Sequence, residues 1–154
     1  MGELTLGRKI PTFTVDTTGG KFRSADARGS KLVIYFYPRD NTPGCTREGE
    51  DFRDLHARFQ RAGVIVLGVS TDTLASHEKF RAKHGFPFHL AADPGHELAD
   101  KFGAWREKNM YGKKVMGIER SSFLIDAEGV LRAEWRKVKV DGHAAAVLEA
   151  AKAL

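Results

Sequence analysis

Two short apolar runs, Leu32-Val-Ile-Tyr-Phe-Tyr37 and Val64-Ile-Val-Leu-Gly-Val69, dictate the layering of this chain. Each is continuous, rich in β-branched and aromatic residues, and of strand length, so each reads as a strand buried on both faces. Between them, Phe52, Leu55 and Phe59 recur at spacings of three and four, which predicts a helix from Cys45 to Ala62 closed by Gly63. Strand, helix and strand in succession point to a layered α/β domain.

The rest of the chain continues the alternation. Phe13 and Val15 alternate with polar residues, and Asp16-Thr-Thr-Gly-Gly20 supplies a turn before Lys21-Phe22-Arg23, an N-terminal β-hairpin extension. A helix is predicted over Thr71–His84, with Ser70, Thr71 and Asp72 as cap candidates and Gly85 as its stop. Phe86–Leu90 reads as a short extended piece. Pro94–Phe102 reads as a helix with Asp93 as its N-cap. Ser121–Ile125 and Val130–Val138 are predicted strands joined by the turn Asp126–Gly129, and Asp141–Leu154 an alanine-rich helix with Val147, Leu148 and Ala151 as its apolar stripe. The expected fold is α/β, a central mixed β-sheet flanked by helices. At 154 residues, one domain over 1–154 is expected, large enough to bury roughly 68–70% of the surface its unfolded chain exposes.

Several function classes fall away on composition. Hydrophobic residues at 42% and charged residues at 29% argue against disorder. No apolar run approaches the roughly 18 residues of a membrane span, so no membrane partner is expected. The opening Met1-Gly-Glu-Leu-Thr-Leu-Gly7 shows no basic start followed by an apolar stretch, so no export signal is visible and a cytoplasmic protein is expected. The net charge is +5, and residues 101–139 carry ten Lys/Arg against five Asp/Glu. Glu107, Glu119, Asp126, Glu128 and Glu134 interrupt those bases and no nucleic-acid motif accompanies them. A solvated basic face is expected, not a nucleic-acid surface. The six histidines show no metal-ligand spacing and read as surface or cap residues. No metal or cofactor is expected.

The chemistry concentrates on one residue. Cys45 is the single cysteine, which excludes an internal disulfide, a four-cysteine zinc site and an internal dithiol. It stands where a buried strand ends and a helix begins, a position that favours a thiolate. Bringing a thiol from ~8.5 to around 6 takes roughly 3.4 kcal/mol. A helix dipole supplies ~0.3–1 kcal/mol, up to ~2 when partly buried, so a cation is needed as well. His56 cannot serve as a hydrolase base, because 11 positions along a helix is roughly 16 Å. Position alone leaves a small buried hydrophobe equally open for Cys45. Thr42-Pro-Gly-Cys45 occupies the place of a Cys-x-x-Cys, with a hydroxyl where the first thiol would be.

The string Tyr37-Pro-x-Asp-Asn-Thr-Pro-Gly-Cys-Thr-Arg-Glu48, with Met110-Tyr-Gly-Lys-Lys-x-Met-Gly-Ile-Glu-Arg-Ser-Ser-Phe-Leu-Ile-Asp126, resembles the peroxiredoxin Q branch of peroxiredoxins, also called bacterioferritin comigratory protein. The likeness runs from Leu6-Gly7 to the final helix. It implies a thioredoxin-like fold of the peroxiredoxin type and reduction of hydrogen peroxide or organic hydroperoxides. By motif position, Cys45 would be the peroxidatic nucleophile and Thr42 would hydrogen-bond the peroxide and the thiolate. Pro38 would shield the sulfur, and Arg120 would stabilise the thiolate and the charge developing on the peroxide oxygens. Glu48 has only an indirect role in such a site. Trp105, Met110, Tyr111 and Met116 fall to either the substrate pocket or the core.

One departure sets the subtype. Many members of this branch carry a resolving cysteine five residues after the first, where this chain has Glu50; others carry it in the next helix, and Leu74–His84 has none. The resemblance therefore implies a one-cysteine peroxidase recycled by an outside thiol: thioredoxin, glutaredoxin or glutathione. A monomer, or at most a weak dimer, is expected. The alternative is a thioredoxin-fold redox-sensing or binding module without turnover.

Overall fold

The structure is a computed structural model and describes residues 4–154. The N-terminal hairpin pairs β1 (Thr14–Thr17) with β2 (Gly20–Arg23), followed by a 3-10 turn at Ser24–Ala27. Then come β3 (Lys31–Phe36), α1 (Pro43–Arg61), β4 (Val64–Ser70), α2 (Leu74–His84), β5 (His89–Ala92) and α3 (Glu97–Lys101). The chain closes with β6 (Trp105–Met110), β7 (Lys113–Ile118), β8 (Ser121–Ile125), β9 (Leu131–Trp135) and α4 (His143–Lys152).

Among the described residues, seven strands form one mixed sheet in the order β2-β1-β5-β4-β3-β8-β9. The two apolar runs lie at its centre: β3 and β4 pair in parallel, β5 continues parallel to β4, and β8 runs antiparallel to β3. Because side chains alternate along a strand, β3 feeds two cores. Val33, Tyr35 and Tyr37 join Phe52 and Phe59 of α1, Phe80 of α2, and Val147 and Leu148 of α4 on one face. Leu32, Ile34 and Phe36 join Leu98 of α3, Phe102, Phe123, Ile10 and Phe13 on the other. The fold is thus the expected α/β sandwich with its hairpin extension.

Boundaries shifted where polar side chains found distant partners. α2 starts later than expected because Thr73 is its cap, accepting from Ser76 N at 3.2 Å; Ser70 and Asp72 instead bond each other at 2.6 Å. Asp93 does receive helix amides, from Leu98 and Ala99 at 3.1 and 2.8 Å, but α3 is only a single turn reached through His96 in a left-handed conformation. The extended piece lies at β5, three residues beyond Phe86, since Phe86 and Phe88 are core residues. β9 stops at Trp135, short of Val138, where Lys137 turns with φ 49°.

Residues 105–118, to which periodicity assigns no element, form a separate hairpin, β6–β7. Its turn is Tyr111-Gly112 with φ of 54° and 80°, the two positive angles that match the twist of a tight hairpin. Met110, Tyr111 and Met116 are exposed on it, so they are not core. Trp105 alone packs, stacked on His96 with ring centroids 4.1 Å apart. The histidine expectation needs correction as well: His77 and His143 are buried, each held by hydrogen bonds.

Candidate active site

Thr42 is the N-cap of α1, Pro43 takes the first helical position and Cys45 the third. Proline there loses no intrahelical hydrogen bond and brings the preset φ that starts the helix. The thiol therefore lies among the free N–H groups of the first turn, at the positive end of the helix dipole. It is 2% exposed and packs into the core face shared with Tyr35, Tyr37 and Phe52.

Glu48 follows Cys45 by three residues and so shares its helix face. Both meet Arg120, which lies between β7 and β8. Arg120 Nη2 donates to Cys45 Sγ at 3.4 Å, and Nη1 donates to Glu48 Oε1 at 2.5 Å. The planar guanidinium satisfies both at once, which a lysine ammonium on a flexible stem does not reproduce. Gly44 gives the guanidinium room: a Cβ there would sit 3.2 Å from Arg120 Nη2. The Glu48 side chain is 1% exposed and its Oε2 has no hydrogen-bond partner among the described residues. Burial pushes its pKa up to about 7 against the pull of Arg120.

The sequence-predicted residues are thus brought together unequally. Cys45 and Arg120 are in contact. Thr42 is adjacent in the chain, but its hydroxyl donates to Arg39 O at 2.9 Å and not to the sulfur. Pro38 is half-buried, two residues beyond the end of β3 in the loop that leads to α1. Two polar residues lie nearer the site than the sequence suggests. Glu48 is the buried partner of Arg120, a role its spacing from Cys45 signals but does not prove. Lys108 of β6 has its pKa pulled down by burial and then by the nearby Arg120 charge, and donates to Ile118 O at 2.8 Å. No local pattern in the exposed hairpin points to it.

A buried thiol at a helix N-terminus, bonded by a fixed guanidinium, is a site for stabilising a thiolate and the charge that leaves when it attacks. Comparison with known proteins agrees. Residues 6–134 match the AhpC/TSA family. Peroxiredoxin Bcp of Xanthomonas campestris is 57% identical over 150 residues, covering 94% of each chain. Peroxiredoxin Bcp of Bacillus subtilis is 46% identical, covering 97% of this chain and 96% of its own. The chain belongs to the peroxiredoxin Q/Bcp family. Xanthomonas campestris Peroxiredoxin Q superposes with a TM-score of 0.87 at 51% identity, over 92% of this chain and 90% of that one. A Xylella fastidiosa PrxQ mutant superposes at 0.92 with 40% identity, over 97% and 96%. These peroxiredoxin neighbours make the fold thioredoxin-like. This peroxiredoxin is a thiol-dependent peroxidase, and its one cysteine fits a one-cysteine cycle.

Proposed function

We propose that Cys45 is the peroxidatic residue and that the chain reduces hydrogen peroxide and organic hydroperoxides with an external thiol. The observation that carries this reading is the Arg120 Nη2 to Cys45 Sγ contact of 3.4 Å at the first turn of α1. The thiolate attacks one peroxide oxygen, the O–O bond breaks, and its electron pair leaves on the distal oxygen. Cys45 becomes a sulfenic acid, and the departing oxygen takes a proton to give water or an alcohol. Arg120 stabilises the thiolate first and then the charge on the leaving oxygen. Thr42, whose proton is committed to Arg39 O, presents lone pairs that accept the peroxide O–H. Pro38, which has no N–H, shields the approach from water.

An outside thiol then condenses with the sulfenic acid, releasing water and leaving a mixed disulfide. A second thiol reduces that disulfide to regenerate Cys45. Thioredoxin, glutaredoxin and glutathione are the candidates. With Cys45 at 2% exposure, any of them requires the first turn of α1 to open. We place this activity in one domain over residues 1–154, acting as a monomer or weak dimer in the cytoplasm. A brief peroxide pulse followed by mass spectrometry, with and without each thiol, tests the reading. A gain of one oxygen on Cys45 that converts to a mixed disulfide is expected. Peroxide loss no faster than with Cys45→Ser, across all reductants, would sink it.

A further inference from the structure

The loop between β3 and α1 carries Pro38 and Thr42, and its Asp40 belongs to a second polar cluster, buried at Asp40 and His77. His77 of α2 is 0% exposed. Its Nε2 lies 2.9 Å from the carbonyl oxygen of Ala91 on β5, and a carbonyl has no proton to give, so Nε2 is the donor. Its Nδ1 lies 2.8 and 3.0 Å from the two carboxylate oxygens of Asp40. Asp40 also accepts from Tyr37 Oη and from Ser76 Oγ, each at 2.7 Å. Burial alone would raise Asp40, but these bonds, His77's foremost, hold it below the usual carboxylate range. Asp40 is therefore the carboxylate of the cluster.

The same residue is tied by its backbone. Asp40 N donates to Asp72 Oδ2 at 2.8 Å, and Asp72 is itself fixed by Ser70 Oγ at 2.6 Å. The next residue, Asn41, is held at φ 63°, a left-handed conformation that costs a non-glycine residue roughly 1 kcal/mol. Thr42 follows directly. Both Asp40 oxygens and both His77 nitrogens have partners within the protein, so the cluster ties the loop to its neighbours as a strut.

We propose that Asp40 and His77 form a buried hydrogen-bonded pair that sets the Pro38–Thr42 loop over Cys45, making both of them positioning residues for the peroxide reaction. The inference rests on the peroxidase reading of Cys45. The pair joins the loop to α2 and, through Ala91, to β5, so Thr42 and Pro38 inherit the rigidity of the sheet. Misplacing a substrate-orienting group by about 1 Å costs on the order of 100-fold in rate. Simple nucleophilicity of the thiolate needs no such orientation.

The test uses Asp40→Ala, His77→Leu and the double variant, each confirmed folded by circular dichroism, with the isosteric Asp40→Asn replacing Asp40→Ala where the latter does not fold. Sulfenic acid formation by hydrogen peroxide is timed against alkylation by iodoacetamide. The single variants should slow the peroxide step about fivefold or more, with alkylation within about threefold of native. The double variant should be no slower than the worse single, because the two act as one unit. A smaller loss, an equal loss in both reactions, or losses that multiply in the double would overturn the proposal. Inertness of the unmodified chain to peroxide would instead count against the peroxidase reading.

Discussion

Arg120 Nη1 lies 2.5 Å from Glu48 Oε1, inside a pocket that leaves the glutamate 1% and the arginine 17% exposed. The contact orients the guanidinium so that its other terminal nitrogen faces Cys45. Breaking a buried pair from one side leaves the remaining charge uncompensated, so the two residues have to be probed separately.

Arg120→Ala should slow sulfenic acid formation by about 100-fold or more, the usual cost of losing one donor aimed at developing charge. It should also move the pH profile of Cys45 alkylation to higher pH. Arg120→Lys should fall between, since one ammonium cannot copy a fork that bonds Glu48 and Cys45 together. Stopped-flow peroxide kinetics and a pH series of alkylation measure both effects. An unchanged alkylation profile in Arg120→Ala would show that Arg120 is not the activating cation.

Glu48 and His143 give stability opposite pH dependences. The carboxyl of Glu48 is raised from 4.5 to about 7 by burial, so the folded state holds an extra proton between those values and stability falls as pH rises through that window. His143 is lowered from 6.5 to about 4, by burial first and then by the Arg120 charge. It shares a 2.7 Å hydrogen bond with Ser122 Oγ and meets Phe52 and Trp135 edge-on. Its contribution is full above about 6.5 and is lost as pH falls toward 4. Each shift corresponds to roughly 3 kcal/mol.

Denaturant melts across pH 4 to 7 separate the two. Glu48→Gln should leave only the histidine limb, so stability climbs with pH through the window. His143→Gln should leave only the glutamate limb, so stability declines. Parallel curves for native and both variants would refute the assignment.

Gly49→Ala should destabilise by about 1–3 kcal/mol, the usual cost of overpacking. A Cβ at Gly49 would lie 2.4 Å from Phe86 Cζ. Phe86 cannot swing away, being stacked on His84 and Phe88 at 5.6 and 5.2 Å between centroids. Thermal unfolding reads the loss, and a melting temperature equal to native would show that α1 shifts at no cost.

Asp93→Ala should cost about 1 kcal/mol, typical of losing a cap, and more to the extent that burial leaves the amides of Leu98 and Ala99 unpaired. The equilibrium denaturation midpoint measures it. Asp93→Asn keeps one acceptor oxygen and should recover part of the loss.

Local patterns in the sequence determined the parts that depend on near neighbours. The apolar runs became β3 and β4, the spacing of Phe52, Leu55 and Phe59 became α1, and Cys45 fell on its first turn. Only the tertiary structure decided which polar groups meet. Arg120 is 75 residues from Cys45 in the chain, and no periodicity links them. The antiparallel register of β3 with β8 does, by pairing Phe36 with Ser121 and so placing Arg120 beside the loop that leads to the thiol. The same holds for His77, 37 residues from Asp40, and for Glu48, 72 residues from Arg120. A strand or helix announces itself because its side chains repeat against one surface. A buried charge pair has no repeat, and its partner is chosen by the register and packing of elements far apart in the chain.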